Sequence, residues 1–211
     1  MTFHGPRHLI VVNREAKRFG SELDHNLGEY IDARDPQSGA PMNLPCWMIA
    51  DQQYIKGSGM FRWYARKLPG WMRSAATLEE LAQMIDLPAE NLVTTVRRYN
   101  AFAAAGSDGD FQRGANAWET YKSGGKATDK RQVLGSIEKG PFIAVPMNRS
   151  ILATKGGPRT DAHGQVTRAD GTKIAGLYCA GVAMANPIGT RAVGAGTTLG
   201  PCLTWGYICA K

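Results

Sequence analysis

Two places in the sequence carry residue types that could do chemistry. The first is the closing stretch GTRAVGAGTTLGPCLTWGYICAK, residues 189–211, where Gly194, Ala195, Gly196, Thr197 and Thr198 precede an apolar, helix-like run near Pro201. N–H groups at a helix start lack intrahelical partners and carry partial positive charge. Small side chains ahead of them let an electron-rich ligand edge approach the backbone closely. In the same stretch, Arg191 could orient a carboxylate or polarise a carbonyl in a dry pocket; it serves equally as a surface or phosphate-facing cation. The second place is Tyr54, at the end of CWMIADQQY. A phenol can donate to a carbonyl oxygen and, with a lowered pKa, accept a proton, although a lone Tyr after a strand also serves as packing. For the closing stretch, the competing reading is a packing loop followed by a core helix.

These residues need elements to hold them. Residues 8–22 (HLIVVNREAKRFGSE) read as a short buried strand and a charged turn, and residues 46–54 as a second strand. In residues 60–75, MFRWYARKLPGWMRSA, basic and aromatic side chains interleave. Thr77 and Glu80 form a capping box ahead of Leu78, Leu81, Ala82 and Ile85, which share one helical face. Pro88 suits the first turn of the next helix, whose stripe is Leu92, Val96, Tyr99 and Ala103. Residues 106–130 are polar and Gly-rich and predict a surface loop with one short helix. The tail predicts an alternating strand in PFIAVPMNRS, a hairpin turned at Ala169, Asp170 and Gly171, and a buried strand over 176–180. Asp161 and Asp170 are expected to shape the turns.

The chain has 211 residues, a formal net charge of +7, 25 glycines and four cysteines. That length can bury a core of one large domain or two small ones. The charge leaves nucleic acid, anionic cofactors and membrane surfaces open as partners. Cys46, Cys179, Cys202 and Cys209 form no CxxC pair and read as buried free thiols in a reducing cytoplasm. His4, His8, His25 and His163 show no ligand spacing, so no metal site is expected. The opening lacks the apolar core of a signal peptide, and no stretch approaches a membrane span, which points to a cytoplasmic protein.

Four motifs in order, PFIAVP, TKGG, TDAHGQVTRADGTKIAGLYCAG and GAGTTLGPCLTWGY, resemble the C-terminal part of the FAD-dependent fumarate reductase/3-ketosteroid dehydrogenase superfamily. Thr154-Lys155-Gly156-Gly157 is most similar to the 3-ketosteroid dehydrogenase branch, as is the upstream TLEELAQMIDLPAENLVTTVRRYNAFAAAGSDGDFQRG. The resemblance implies an α+β chain: a cap or substrate domain over 1–145 with an entry strand, and the C-terminal segment of an FAD-binding domain over 146–211. Members of the superfamily begin with a strand, a GxGxxG turn and a helix that hold the FAD pyrophosphate. No such motif occurs here, so the resemblance implies that the N-terminal Rossmann half is missing and that the tail's sheet has strands elsewhere. The isolated chain would then be inactive, leave apolar surface exposed and associate.

The resemblance also implies a cofactor, FAD, and a reaction: oxidation of a CH–CH bond beside a ketone in a lipophilic, 3-ketosteroid-like substrate, with hydride transfer to flavin N5. Gly196, Thr197, Thr198 and Leu199 would contact the flavin, whose pyrimidine edge becomes negative on reduction. Gly181 would lie near the ribityl chain. Tyr54 falls in the region of a superfamily active-site tyrosine, and Arg191 lies near the arginine of fumarate reductases. Three positions depart from the pattern. Ala192 stands where a Tyr is common, and Val182 stands where Asn or Glu often binds a ribityl hydroxyl, with Asn186 a substitute. Lys155 stands where fumarate reductases have a His. The alternatives are a fumarate reductase-like flavoprotein, an inactive fragment that needs a partner carrying the dinucleotide loop or a second copy, and a basic nucleic-acid binder. In the last, Phe61, Trp63, Tyr64 and Trp71 would stack on bases. The leading reading has no nucleic-acid partner and no membrane span.

Overall fold

A computed structural model describes residues 7–24, 26–122, 133–150, 153–190 and 196–211. The chain divides into two compact units, Met1–Arg149 and Ser150–Lys211.

The first unit is built on an antiparallel sheet of β1 (Leu9–Val12), β2 (Cys46–Ala50), β3 (Arg73–Ala75) and β4 (Phe142–Met147) in the order β1-β2-β4-β3. Register pairs Leu9 with Ala50 and Ile49 with Ala144. Successive side chains of a strand point to opposite faces, and both faces here are covered. Ile10, Val12, Ile49, Phe142 and Ala144 pack with Leu81, Leu92, Val96 and Tyr99. Leu9, Val11, Met48, Ala50, Ile143 and Val145 pack with Tyr54, Ile55, Phe61 and Met72. Burial on both sides is why β1 reads as an unbroken LIVV rather than an alternation.

The short helix α1 (Leu27–Ile31) connects β1 to β2. One layer over the sheet is α2 (Gln52–Gly57) and α3 (Gly59–Lys67); the other is α4 (Leu78–Met84) and α5 (Ala89–Ala105). The Thr77–Glu80 capping box forms at α4, and Leu92, Val96 and Tyr99 of α5 are buried as the stripe predicts. Pro88 sits at the N-cap of α5, one residue before the first turn. The polar stretch carries α6 (Ala117–Lys122).

The strand expected over 46–54 ends at Ala50. Asp51 accepts from Gln53 N at 2.8 Å and so caps α2, and it also accepts from Glu138 N and Lys139 N at 2.9 Å each. Five residues of the apolar run are therefore strand, and Tyr54 lies on a helix.

A buried ion cluster ties the turn after β1 to the loop after α5. Arg18 donates to both oxygens of Glu22, at 2.8 and 2.9 Å, and to Asp108 Oδ2 at 2.8 Å; Arg113 donates to Glu22 Oε2 at 3.0 Å and to Leu9 O at 2.9 Å. Arg18 and Arg113 also lie 5.1 and 5.6 Å from the centre of the Tyr99 ring. Burial alone would raise the Glu22 carboxyl, but Arg18 and Arg113 outweigh it and hold the group below its ordinary value. Asp108 follows the same pattern with Arg18.

The second unit is thinner. Here β5 (Gln165–Thr167) and β6 (Lys173–Tyr178) form the expected hairpin. Gly171 turns at φ 84°, and Asp170 Oδ1 accepts from Thr172 N at 2.9 Å. Asp161 shapes the preceding turn, accepting from His163 N and Gln165 N at 2.9 Å each. The last helix is α7 (Leu199–Cys209).

Two expectations change in this unit. The strand expected to be buried over 176–180 leaves Leu177 and Tyr178 about half exposed, because a two-stranded hairpin offers no second layer. The helix that the packing reading makes a core helix has no buried residue. Among the cysteines, Cys46 is buried, while Cys179, Cys202 and Cys209 are half-buried.

Replacing Glu22 removes the carboxylate that Arg113 pairs with and one of the two carboxylates that hold Arg18. Glu22→Ala is expected to destabilise the first unit by about 3–5 kcal/mol in urea unfolding, and a loss under about 1 kcal/mol contradicts the role given to the cluster. Because both carboxyls have depressed values in the folded state, their stabilisation is complete above the unfolded carboxylate range, about pH 4, and is lost as pH falls through the folded values.

Candidate functional site

The second unit brings together segments that lie far apart in sequence. The Thr154-Lys155-Gly156-Gly157 segment runs beside the 3-10 turn Gly181–Ala183 and the residues after it. Thr154 Oγ1 donates to Val182 O at 2.7 Å, Ala185 N to Pro158 O at 3.0 Å, and Asn186 N to Lys155 O at 3.0 Å. Gly157 is required for this approach, since a Cβ there would stand 1.9 Å from Ala183 O.

Asn186 joins this turn to the helix start. Its Oδ1 accepts from Ile188 N at 2.9 Å, and its Nδ2 donates to Thr197 O at 3.3 Å. The first turn of α7 closes through Gly200 N to Gly196 O at 2.8 Å and Cys202 N to Thr198 O at 3.2 Å. Thr198 takes the N-cap position with no side-chain cap bond, so its hydroxyl is not spent on the helix. At the far end, α7 is seated against Gly164, where a Cβ would lie 2.3 Å from Cys209 Sγ.

The six expected cofactor contacts, Gly181, Val182, Gly196, Thr197, Thr198 and Leu199, thus lie on two loops tied through Asn186, with α7 packed beside the 181–183 turn. Gly181 and Gly196 have φ of 74° and 86°, a conformation that disfavours side chains, and a Cβ on either would meet only open space. Two bare backbone surfaces of this kind fit a flat group such as a flavin ring. Val182 and Leu199 are 41% and 69% exposed, so the rim of the loops is apolar.

Tyr54 is placed in the first unit, on α2, with its ring 5.1 Å from that of Phe61. It is a core residue, 5% exposed, and burial pushes its phenol up to about 12. At neutral pH it is a donor and not a base. Arg191, with Ala192, lies outside the described residues. The joint held by Asn186 is the feature least visible in sequence: the residue was expected as a ribityl-hydroxyl substitute for Val182, and its side chain instead bonds Thr197 O and Ile188 N.

The family model for the FAD binding domain matches residues 2–199. The chain belongs to that family. FAD, the cofactor expected from the tail motifs, is the one the family is named for. The chain is 38% identical to 4-oxocyclohexanecarboxylate 2-dehydrogenase of Sinomonas cyclohexanicum, covering 96% of this chain and 36% of that protein. It is also 38% identical to 3-oxosteroid 1-dehydrogenase of Mycolicibacterium smegmatis, over 95% of this chain and 37% of the relative. Among solved structures it resembles the 3-ketosteroid delta1-dehydrogenase of Sterolibacterium denitrificans, in complex with 1,4-androstadiene-3,17-dione. There the TM-score is 0.84 at 30% identity, over 97% of this chain and 38% of that one. The chain spans a little over a third of the length of these relatives, and two of the three are named as 3-oxosteroid or 3-ketosteroid dehydrogenases, the branch that the TKGG motif resembles.

Gly157→Ala is expected to push the 154–157 segment off the 181–183 turn and to cost about 1–3 kcal/mol, as overpacking against backbone does. Limited proteolysis checks this: faster cleavage within 150–190 is the expected result, and an unchanged pattern contradicts the close approach.

Proposed function

We propose that this chain supplies the flavin-ring side of an FAD-dependent dehydrogenase that desaturates a CH–CH bond beside the ketone of a 3-ketosteroid-like substrate. The observation that carries the reading is the pair of bare, left-handed glycine surfaces at Gly181 and Gly196, tied together through Asn186 and open to space. Relatives whose names specify ketone substrates support the reaction class. Residues 146–211 are assigned to the FAD-binding domain and 1–145 to the cap. A GxGxxG-bearing segment, outside this chain, would complete the pyrophosphate site.

When bound, FAD supplies the hydride acceptor. The chain's own part is orientation. The N–H groups about residues 196–199, at the positive end of α7, favour negative charge on the group lying against them. Asn186 holds that helix start in place. Tyr54, the tyrosine that the resemblance assigns to the active site, is taken as a neutral donor and not as the base, because burial keeps its proton on. Arg191 is assigned as the cation that orients a carboxylate or polarises a carbonyl of the substrate. Ala192 leaves no phenol at its position, so the proton acceptor must come from another residue of the assembled enzyme.

A second reading has its own support: the relative named for 4-oxocyclohexanecarboxylate acts on a small, carboxylated cyclic ketone, and Arg191 is the residue type that would hold a carboxylate.

The test is anaerobic mixing of the FAD-loaded chain, assembled with a GxGxxG-bearing segment, with androst-4-ene-3,17-dione or 4-oxocyclohexanecarboxylate. Bleaching of the oxidised flavin by the steroid is the expected result, and bleaching by the small acid alone selects the second reading. If neither ketone bleaches the flavin and fumarate instead reoxidises reduced flavin, the dehydrogenase assignment fails.

A further inference from the structure

On the first unit, α3 and the turn after it carry a surface that the proposed chemistry does not use. The inner face of α3 is settled by packing: Phe61 is buried, and Tyr64 and Ala65 lie against the core with Met48 and Ile143. The outer face and the following turn expose Met60 (43%), Trp63 (53%), Leu68 (49%) and Trp71 (40%). Arg62, Arg66 and Lys67 are exposed among them. From residue 52 to residue 77 there are five Lys or Arg and no Asp or Glu.

We propose that this face docks the protein on a bilayer surface containing anionic phospholipid. Exposed Trp, Leu and Met side chains flanked by cations are the composition of an interfacial helix, which buries its apolar side chains at the headgroup boundary while its cations meet lipid phosphates. The aromatic groups are already organised: Trp63 meets Tyr64 edge-on at 4.9 Å, and Tyr64 meets Trp71 edge-on at 5.0 Å. Lys67 Nζ sits 4.5 Å over the Trp63 ring. That arrangement argues against single-stranded nucleic acid, which needs free aromatic faces for its bases. Met60 and Leu68 also offer bases nothing to stack on.

A second copy of the chain fits poorly, because a twofold contact would set cations against cations. The face also differs from α7, whose sequence LGPCLTWGYIC holds no charge and suits burial under protein. Among the described residues no helix is long and apolar enough to cross a membrane.

The test is co-sedimentation of the 211-residue chain with vesicles of phosphatidylcholine, alone or with about one-third phosphatidylserine, at about 0.1 M salt. Binding to the anionic vesicles is expected to be about tenfold or more tighter than to the neutral ones. Trp63→Ser with Trp71→Ser, and separately Arg62→Glu with Arg66→Glu, should each remove about tenfold of that binding with the melting curve unchanged. The charge-reversed pair touches only exposed side chains, so it keeps the test valid if the tryptophan variant fails to fold. Equal binding to both vesicle types overturns the proposal, as does binding that survives both variants, which would place the contact on another apolar face. Binding of a polyuridine oligonucleotide in preference to vesicles overturns it in favour of nucleic acid.

Discussion

Apolar surface must leave water, and in this chain one unit meets that requirement while the other does not. Leu199, Leu203 and Tyr207 form a stripe at four-residue spacing on α7, each more than 60% exposed. Among the described residues of the second unit, Val166 and Met184 are the buried hydrophobic side chains. At about 25 cal/mol per Å² of apolar area, so small a core contributes little. What shapes the unit is backbone: hydrogen bonds from the 154–158 segment to the 182–186 segment, glycines that allow contact at Gly157 and Gly164, and the Asn186 side chain. The exposed stripe calls for a cover, and the matched relatives, nearly three times as long, have chain to provide it.

The first unit shows the opposite economy. Its sheet is covered on both faces, side chains cap α2, α3 and α4, and the buried Arg18, Arg113, Glu22 and Asp108 pair with one another. The Arg18, Glu22, Asp108 and Arg113 cluster fastens the loop after α5 to the turn after β1 across some 90 residues of sequence. A rigid platform of this kind can carry functional surfaces without deforming, and α3 lies on it with its inner face in the core and its cationic, aromatic face in solvent.

Much of the local structure was legible in the sequence because its causes are local. The unbroken LIVV of β1, the Thr77–Glu80 box, the α5 stripe and the Asp170–Gly171 turn each follow from residues within a few positions of one another. The end of β2 was not legible, since CWMIADQQY is apolar through Ala50 and only the bonds Asp51 accepts from Gln53, Glu138 and Lys139 show why the chain turns to helix. The ion cluster has no local signature, as its partners come together only in the fold. Burial of residues 176–180 is not legible for a related reason: an apolar strand reveals its own character but not whether a neighbour covers it. At the candidate site the glycine loops stood out in sequence, whereas their joining through Asn186 depends on a side chain whose partner, Thr197 O, no periodicity marks.

Everything proposed for the second unit depends on a flavin ring lying against the two glycine loops. Hydrogen exchange on the chain, assembled with a GxGxxG-bearing segment and compared with and without FAD, measures this directly. Slower exchange on FAD addition is predicted at the amides of residues 181–183 and 196–199, with no change at Arg73–Ala75 on the sheet. FAD that binds the assembly yet leaves both loops exchanging at their free rate would contradict the account.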